Sequence, residues 1–167
     1  MKTYRWATLG CGVIANELAQ AMQKDGRTLY GVANRTYENA VAFAKKYEVE
    51  KVYKNIQDLF EDDDVDIVYI STPHNTHIQY LREALKHGKH VLCEKSITLN
   101  AKELEEAKQL AEENGVVLAE AMTIYHMPLY KKLQEVIRSG KLGKLCMAQM
   151  NFGSYKEYDC LLYTSPS

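Results

Sequence analysis

The chain has 167 residues, 46% of them hydrophobic and 26% charged, a balance that permits a packed core and argues against wholesale disorder. Lysine plus arginine (21) nearly cancels aspartate plus glutamate (22), so no bulk field favours nucleic acid or an anionic membrane. No apolar run approaches the ~18 residues that a membrane-spanning helix needs, and Cys11, Cys93, Cys146 and Cys160 are widely spaced without a CxxC, the pattern of a reduced, cytoplasmic chain.

At the N-terminus, Lys2 and Arg5 precede an apolar run from Trp6 to Ala15. That stretch is too short and too glycine-rich for the hydrophobic region of an export signal. Residues 3–9 read instead as a strand ending at Gly10, and Ile14, Leu18 and Met22 recur every four residues as one face of a helix. Leu29 to Ala33 is a second short strand, followed by a helix carrying Ala40, Phe43 and Ala44. Residues 65–70 form a third, nearly all-apolar strand; Ile78, Leu81 and Leu85 follow at helical spacing, stopped by Gly88. His90 to Cys93 is the next strand. Asn100 then predicts a helix N-cap with Glu103 at N3 and a staple between Leu99 and Leu104; Leu104, Ala107 and Leu110 form the buried stripe, and Gly115 is the stop. Residues 116–119 complete the pattern.

Strands alternating with helices of 10–15 residues predict an α/β fold, a doubly wound parallel sheet of the Rossmann type covered on both faces. After residue 121 the character changes. Pro128 opens a helix through Leu129, Leu133, Val136 and Ile137, and residues 144–153 read as one long strand. A single strand cannot make a sheet, so the expected organisation is a dinucleotide-binding domain over residues 1–121, the truncated start of a second α/β domain over 122–158, and a non-native or disordered tail over 159–167.

Gly10-Cys11-Gly12-Val13-Ile14-Ala15 fits G-x-G-x-x-(G/A) between a predicted strand and a predicted helix. The first glycine makes the tight turn, the second admits a pyrophosphate to the backbone, and the helix N-terminus, including the amides of Val13 and Ile14, favours its negative charge. About 20 residues on, where an Asp or Glu would hold the 2′-hydroxyl of NAD, stand Asn34 and Arg35. A guanidinium there suits the 2′-phosphate of NADP; the alternatives are a solvated arginine or one stacked on adenine. Thr72, Pro73, His74, Asn75, Thr76 and His77 follow the third strand at the edge where such sheets bind ligands. His74, His77, His87, His90 and Cys93 invite a metal reading, but they are divided among a loop, a helix end and a strand, so no metal site is predicted. Glu94-Lys95 places a carboxylate and an ammonium at the same edge, either as a proton donor and hydroxyl orienter or as a surface ion pair.

Gly10-x-Gly12-x-x-Ala15, Thr72 to His77, Gly88 to Lys95 and Glu120-Ala121-Met122, in that order and spacing, resemble the glucose–fructose oxidoreductase, inositol dehydrogenase and rhizopine-catabolism (Gfo/Idh/MocA) family over residues 3–158. The resemblance implies an NAD(P)-dependent oxidoreductase transferring a hydride between nicotinamide and a secondary alcohol or carbonyl of a sugar, polyol or similar small molecule. Lys95 would be the catalytic residue beside the nicotinamide, with Glu94 and Thr72 to His77 around the nicotinamide ribose. It further implies a homo-oligomeric full-length parent and additional catalytic residues, often an Asp and a His, in a C-terminal domain. Ser96 departs from the family's frequent Pro, His74 stands where Asn is frequent, and Tyr125 and His126 lie in a divergent run, lining a substrate pocket or packing between domains. The rival reading is a non-catalytic dinucleotide-binding sensor. A methyltransferase-like sheet is disfavoured because Asn34 stands where its acidic residue belongs.

Overall fold

The computed structural model describes residues 3–151. Six strands and their crossovers follow the predicted alternation, with two additions. In chain order they are β1 (Trp6–Leu9), α1 (Val13–Lys24), β2 (Gly31–Ala33), α2 (Tyr37–Tyr47), β3 (Lys51–Tyr53), α3 (Ile56–Glu61), β4 (Ile67–Ile70), α4 (His77–Lys86), β5 (His90–Cys93), α5 (Ala101–Glu113), β6 (Leu118–Glu120) and α6 (Pro128–Arg138). All ladders are parallel and the sheet order is β3-β2-β1-β4-β5-β6. The chain therefore leaves β1 toward β2 and β3 on one side, then returns to build β4 to β6 on the other. The carboxyl ends of β1, β2 and β4 face the gap where the winding reverses, the place where doubly wound sheets bind ligands.

Alternation along the strands sends side chains to two cores. Ala7, Leu9, Val68, Ile70, Val91 and Cys93 meet Leu59 and Phe60 of α3, Leu81 and Leu85 of α4, and Ala107 and Ala111 of α5. On the opposite face Val32 meets Ala15, Ala19 and Met22 of α1 and Phe43, Ala44 and Tyr47 of α2, with Trp6 packed alongside. Fully buried leucines such as Leu81 and Leu85 each contribute roughly 1.5–3 kcal/mol of transfer free energy.

Several expectations shift in detail. The buried stripe of α1 is Ala15, Ala19 and Met22, not Ile14, Leu18 and Met22, and Ile14 is 43% exposed. The helix turns its small alanines to the sheet, leaving Leu18 at the margin of the core and Ile14 outside it. The Asn100 cap forms as read: its Oδ1 accepts from the Glu103 amide at 3.0 Å, and Glu103 reaches back to the Leu99 amide at 3.1 Å. Leu104 packs on the core, but Leu99, its expected staple partner, is 56% exposed. Gly115 follows the C-cap of α5 with φ of 64°, the left-handed position that glycine occupies at least cost.

The chain divides into two compact units, one through Thr123 and one from Ile124. In the second, Pro128 is the first residue of α6 as expected, and Tyr125 packs edge-on against Tyr130 at 5.6 Å. The strand expected over 144–153 does not form over 144–151; a strand needs a neighbour's ladder, and these residues have none among those described. Its last two residues, and the tail over 159–167 with Cys160, lie outside the described residues. Among the described residues, no helix is long and apolar enough to cross a membrane.

Candidate functional site

The glycine loop closes the end of β1. The Gly10 amide donates to the Ala33 carbonyl of β2 at 2.9 Å, and the Ser71 amide, just past β4, donates to the Leu9 carbonyl at 2.9 Å. Gly10 adopts φ of 110°, and a Cβ there would come within 2.8 Å of the Ser71 carbonyl oxygen and hydroxyl. No L side chain fits that junction. Gly12 is different: it caps α1 with φ of −71°, and a Cβ would meet nothing within 4 Å. Open space at Gly12, beside the partnerless first-turn amides of a helix, is the shape that a pyrophosphate requires.

Asn16 fixes the loop from behind. Its Nδ2 donates to the carbonyls of Gly12 (2.8 Å) and Cys11 (3.2 Å), while its Oδ1 accepts from the Tyr47 hydroxyl (2.7 Å) and Lys46 Nζ (2.9 Å) of α2. Burial pushes the intervening Cys11 thiol up to about 11, so it stays protonated and a poor nucleophile.

A cleft of about 500 Å³ opens over this loop. It is lined by Gly10, Cys11 and Gly12 after β1, by Asn34, Arg35, Thr36 and Asn39 after β2, and by Ser71, Thr72, Pro73, His74 and Thr76 after β4, with Ile56 and Tyr80 completing the wall. Among the described residues, no carboxylate lines it. The Asn34 amide is committed to the Thr36 carbonyl at 2.9 Å, which leaves exposed Arg35 as the cation at the β2 end. The loop after β4 is braced internally by Thr76 Oγ1, which bonds Thr72 Oγ1 at 2.9 Å and the Pro73 carbonyl at 2.6 Å.

The cleft thus unites Gly10, Gly12, Asn34, Arg35, Thr72, Pro73 and His74. Val13 and Ile14 do not line the cleft; they are 75% and 43% exposed. His77 does not line the cleft either. It is fully buried, with Nδ1 2.9 Å from the Ser96 carbonyl and Nε2 2.8 Å from the Thr72 carbonyl. Both ring nitrogens are spent joining the loop after β4 to the loop after β5. The remaining residues of the metal reading also stand apart: His87 Nδ1 bonds the Glu83 carbonyl, His90 Nδ1 accepts from the Val117 amide, and Cys93 is buried.

Glu94 and Lys95 follow β5 at the same sheet edge, one strand beyond the cleft. The Glu94 amide continues the ladder to the Ile70 carbonyl at 2.8 Å. Its carboxylate accepts from the Tyr69 hydroxyl at 2.6 Å and from the Lys95 amide at 3.3 Å. No ion pair joins it to the Lys95 ammonium among the described residues, so the exposed Lys95 side chain projects independently. Downstream, the Ile97 amide donates to Glu120 Oε1 at 2.9 Å. Tyr69 and Glu120 act on loops distant in the chain that only the sheet order brings to them, while Asn16 joins the adjacent glycine loop to Lys46 and Tyr47 of α2, so no local motif marks these bonds.

Comparison with known proteins agrees with this geometry. Residues 4–122 match the family model of the Gfo/Idh/MocA oxidoreductases, described as an oxidoreductase family with an NAD-binding Rossmann fold. The chain is 34% identical over 152 residues to mouse trans-1,2-dihydrobenzene-1,2-diol dehydrogenase, covering 89% of this chain and 46% of that one. It is 36% identical over 155 residues to the scyllo-inositol 2-dehydrogenase (NADP(+)) IolU of Bacillus subtilis, covering 92% and 46%. Among solved structures, the 3-ketoreductase KijD10 of Actinomadura kijaniata in complex with NADP superposes with a TM-score of 0.77 at 30% identity, covering 86% of this chain and 46% of that one. The chain therefore spans less than half the length of these relatives. Through its glycine loop, sheet order and matched residues, the chain belongs to the Gfo/Idh/MocA oxidoreductase family.

Proposed function

We propose that this chain is the cofactor-binding portion of an NAD(P)-dependent oxidoreductase, residues 1–121 forming the dinucleotide domain and 122–158 beginning a second α/β domain. The observation that carries the reading is the cleft at the winding reversal, where Gly12 leaves room for a diphosphate and Arg35 supplies a cation at the β2 end. NADP is favoured over NAD because the lining offers a guanidinium and no carboxylate: a carboxylate would grip a 2′-hydroxyl and repel a 2′-phosphate. The NADP named for IolU and for the KijD10 complex supports the same preference.

The bound nicotinamide would supply the hydride chemistry, exchanged with a secondary alcohol or carbonyl of a sugar, polyol or related small molecule. The chain's own residues bind and orient. The amides at the start of α1 hold the diphosphate, Thr72 to His74 wall the cleft, and Glu94 accepts hydroxyls of the nicotinamide-side ribose. Lys95, exposed at the edge and unpaired with Glu94, donates a hydrogen bond to the substrate oxygen and serves as its proton donor. Tyr125 and His126 are proposed substrate contacts, and the parent enzyme is proposed to be a homo-oligomer.

The test has two parts. Fluorescence titration of the 167-residue chain should show saturable NADPH binding, tighter than NADH. In the full-length parent, Lys95→Ala should abolish turnover while cofactor affinity stays within about threefold, a difference under 1 kcal/mol. Undiminished kcat in that variant would remove Lys95 from the chemistry.

A further inference from the structure

Tyr69 is the third residue of β4, in register with Thr8 of β1 and Leu92 of β5. Its side chain points away from the face that holds Val68 and Ile70. It is buried, 3% exposed, in a strand whose neighbouring residues are apolar. Yet it carries a hydroxyl, aimed at one acceptor: Glu94 Oε1, at 2.6 Å and across 25 residues of chain. The other carboxylate oxygen, Oε2, accepts from the Lys95 amide at 3.3 Å. With one oxygen held from the sheet and the other from the following peptide, the carboxylate cannot turn freely. Burial, then the bond to Glu94, pushes the Tyr69 phenol well above its ordinary value. It therefore remains an O–H donor throughout the neutral range.

From this geometry we infer that Tyr69 is a positioning residue of the dinucleotide site. Its hydroxyl locks the Glu94 carboxylate in the orientation that receives the nicotinamide-side ribose. A phenol held over a carboxylate by the packing of a strand is preorganised, so the ligand need not order Glu94 when it binds. The inference rests on the proposed role of Glu94, and its signature is local. Only the nicotinamide half of the cofactor should sense the loss of the hydroxyl.

The experiment compares two ligands on the 167-residue chain and three variants. NADPH carries the nicotinamide ribose; adenosine 2′,5′-bisphosphate lacks it. Tyr69→Phe, which keeps the ring, should weaken NADPH about tenfold, the scale of one hydrogen bond to a charged group, and leave the bisphosphate within about twofold. Glu94→Gln should also weaken NADPH selectively. In the double variant the tyrosine change should add little further loss, because the two act as a unit. If Glu94→Gln weakens NADPH but Tyr69→Phe does not, the positioning role is overturned and the reading of Glu94 stands. If Tyr69→Phe weakens both ligands alike, or weakens NADPH fully even in the Glu94→Gln background, the hydroxyl serves the fold and the inference falls. If Glu94→Gln changes nothing, the proposed role of Glu94 falls and the inference with it.

Discussion

A β-carbon on Gly10 would sit 2.8 Å from the carbonyl oxygen of Ser71, so the first glycine of the loop is dictated by contact between β1 and β4, not by a ligand. Two residues on, the same atom on Gly12 would enter open space. One motif therefore contains two glycines of different kinds, one fixed by contact within the fold and one that the fold leaves unconstrained.

Substitution separates them. Gly10→Ala combines a positive φ with a backbone clash and should cost on the order of 1–3 kcal/mol of stability, read as a lowered urea midpoint. Gly12→Ala has allowed backbone angles and no protein neighbour, so its stability should stay within about 0.5 kcal/mol of the parent. Its NADPH affinity, however, should fall at least about tenfold as the methyl occupies the diphosphate's space. Equal stability losses in the two variants would contradict the distinction.

The proposed role of Arg35 in cofactor preference has a direct test. If its guanidinium faces the 2′-phosphate, Arg35→Gln removes a charge-assisted contact and should weaken NADPH by about 10–100-fold. NADH, which lacks the phosphate, should change by less than about threefold. Equal weakening of both would assign Arg35 to the adenine instead, one of the alternatives that the sequence leaves open.

How much of this was legible without coordinates follows from length and range. The glycine loop, the ligand edge after residue 70 and Glu94-Lys95 were all readable because each is a contiguous motif at the end of a strongly apolar strand. β3 and α3 were missed: they span three and six residues, too short for periodicity to register, and β3 sits at the sheet edge with Lys51 exposed. In α1 Met22 is buried as expected, but Ala15 and Ala19 take the places expected of Ile14 and Leu18, because alanines give a weak hydrophobic signal beside them. His77 is expected around the ribose only through the family resemblance over Thr72 to His77, yet it is fully buried, with both ring nitrogens at main-chain carbonyls. Tyr69 was hidden for another reason. In an apolar run it reads as core, and nothing local reveals that its hydroxyl meets Glu94.

The cap of α5 was readable and offers a clean test of local energetics. Asn100→Ala should destabilise the chain by about 1 kcal/mol, and Asn100→Asp, which keeps the acceptor for the Glu103 amide, should restore most of it. Calorimetry of the two variants decides; an alanine variant as stable as the parent would show that tertiary packing of Leu104 and Ala107 alone holds the helix start.

Asp62 predicts acid sensitivity. Its Oδ2 accepts from Lys51 Nζ at 2.7 Å and from the Tyr53 hydroxyl at 2.6 Å, its Oδ1 from the Asp64 amide at 2.9 Å, and its main-chain carbonyl from buried Lys89 Nζ at 2.6 Å. These bonds tie β3 and the start of β5 to the turn before β4. Burial alone would raise the carboxyl, but the bonds from Lys51, Tyr53 and Asp64 outweigh it and hold Asp62 at about 2. An unfolded aspartate titrates near ~3.9, so on acidification the unfolded chain takes up this proton first, and stability rises with pH across the interval. The contribution is complete above roughly pH 5 and is lost as pH falls through about 2. Asp62→Asn should cost about 1–2 kcal/mol at pH 7, and the gap between parent and variant in urea midpoint should narrow steadily from pH 5 to pH 3. A gap that stays constant over that range would show that the hub stabilises through packing rather than through its charge.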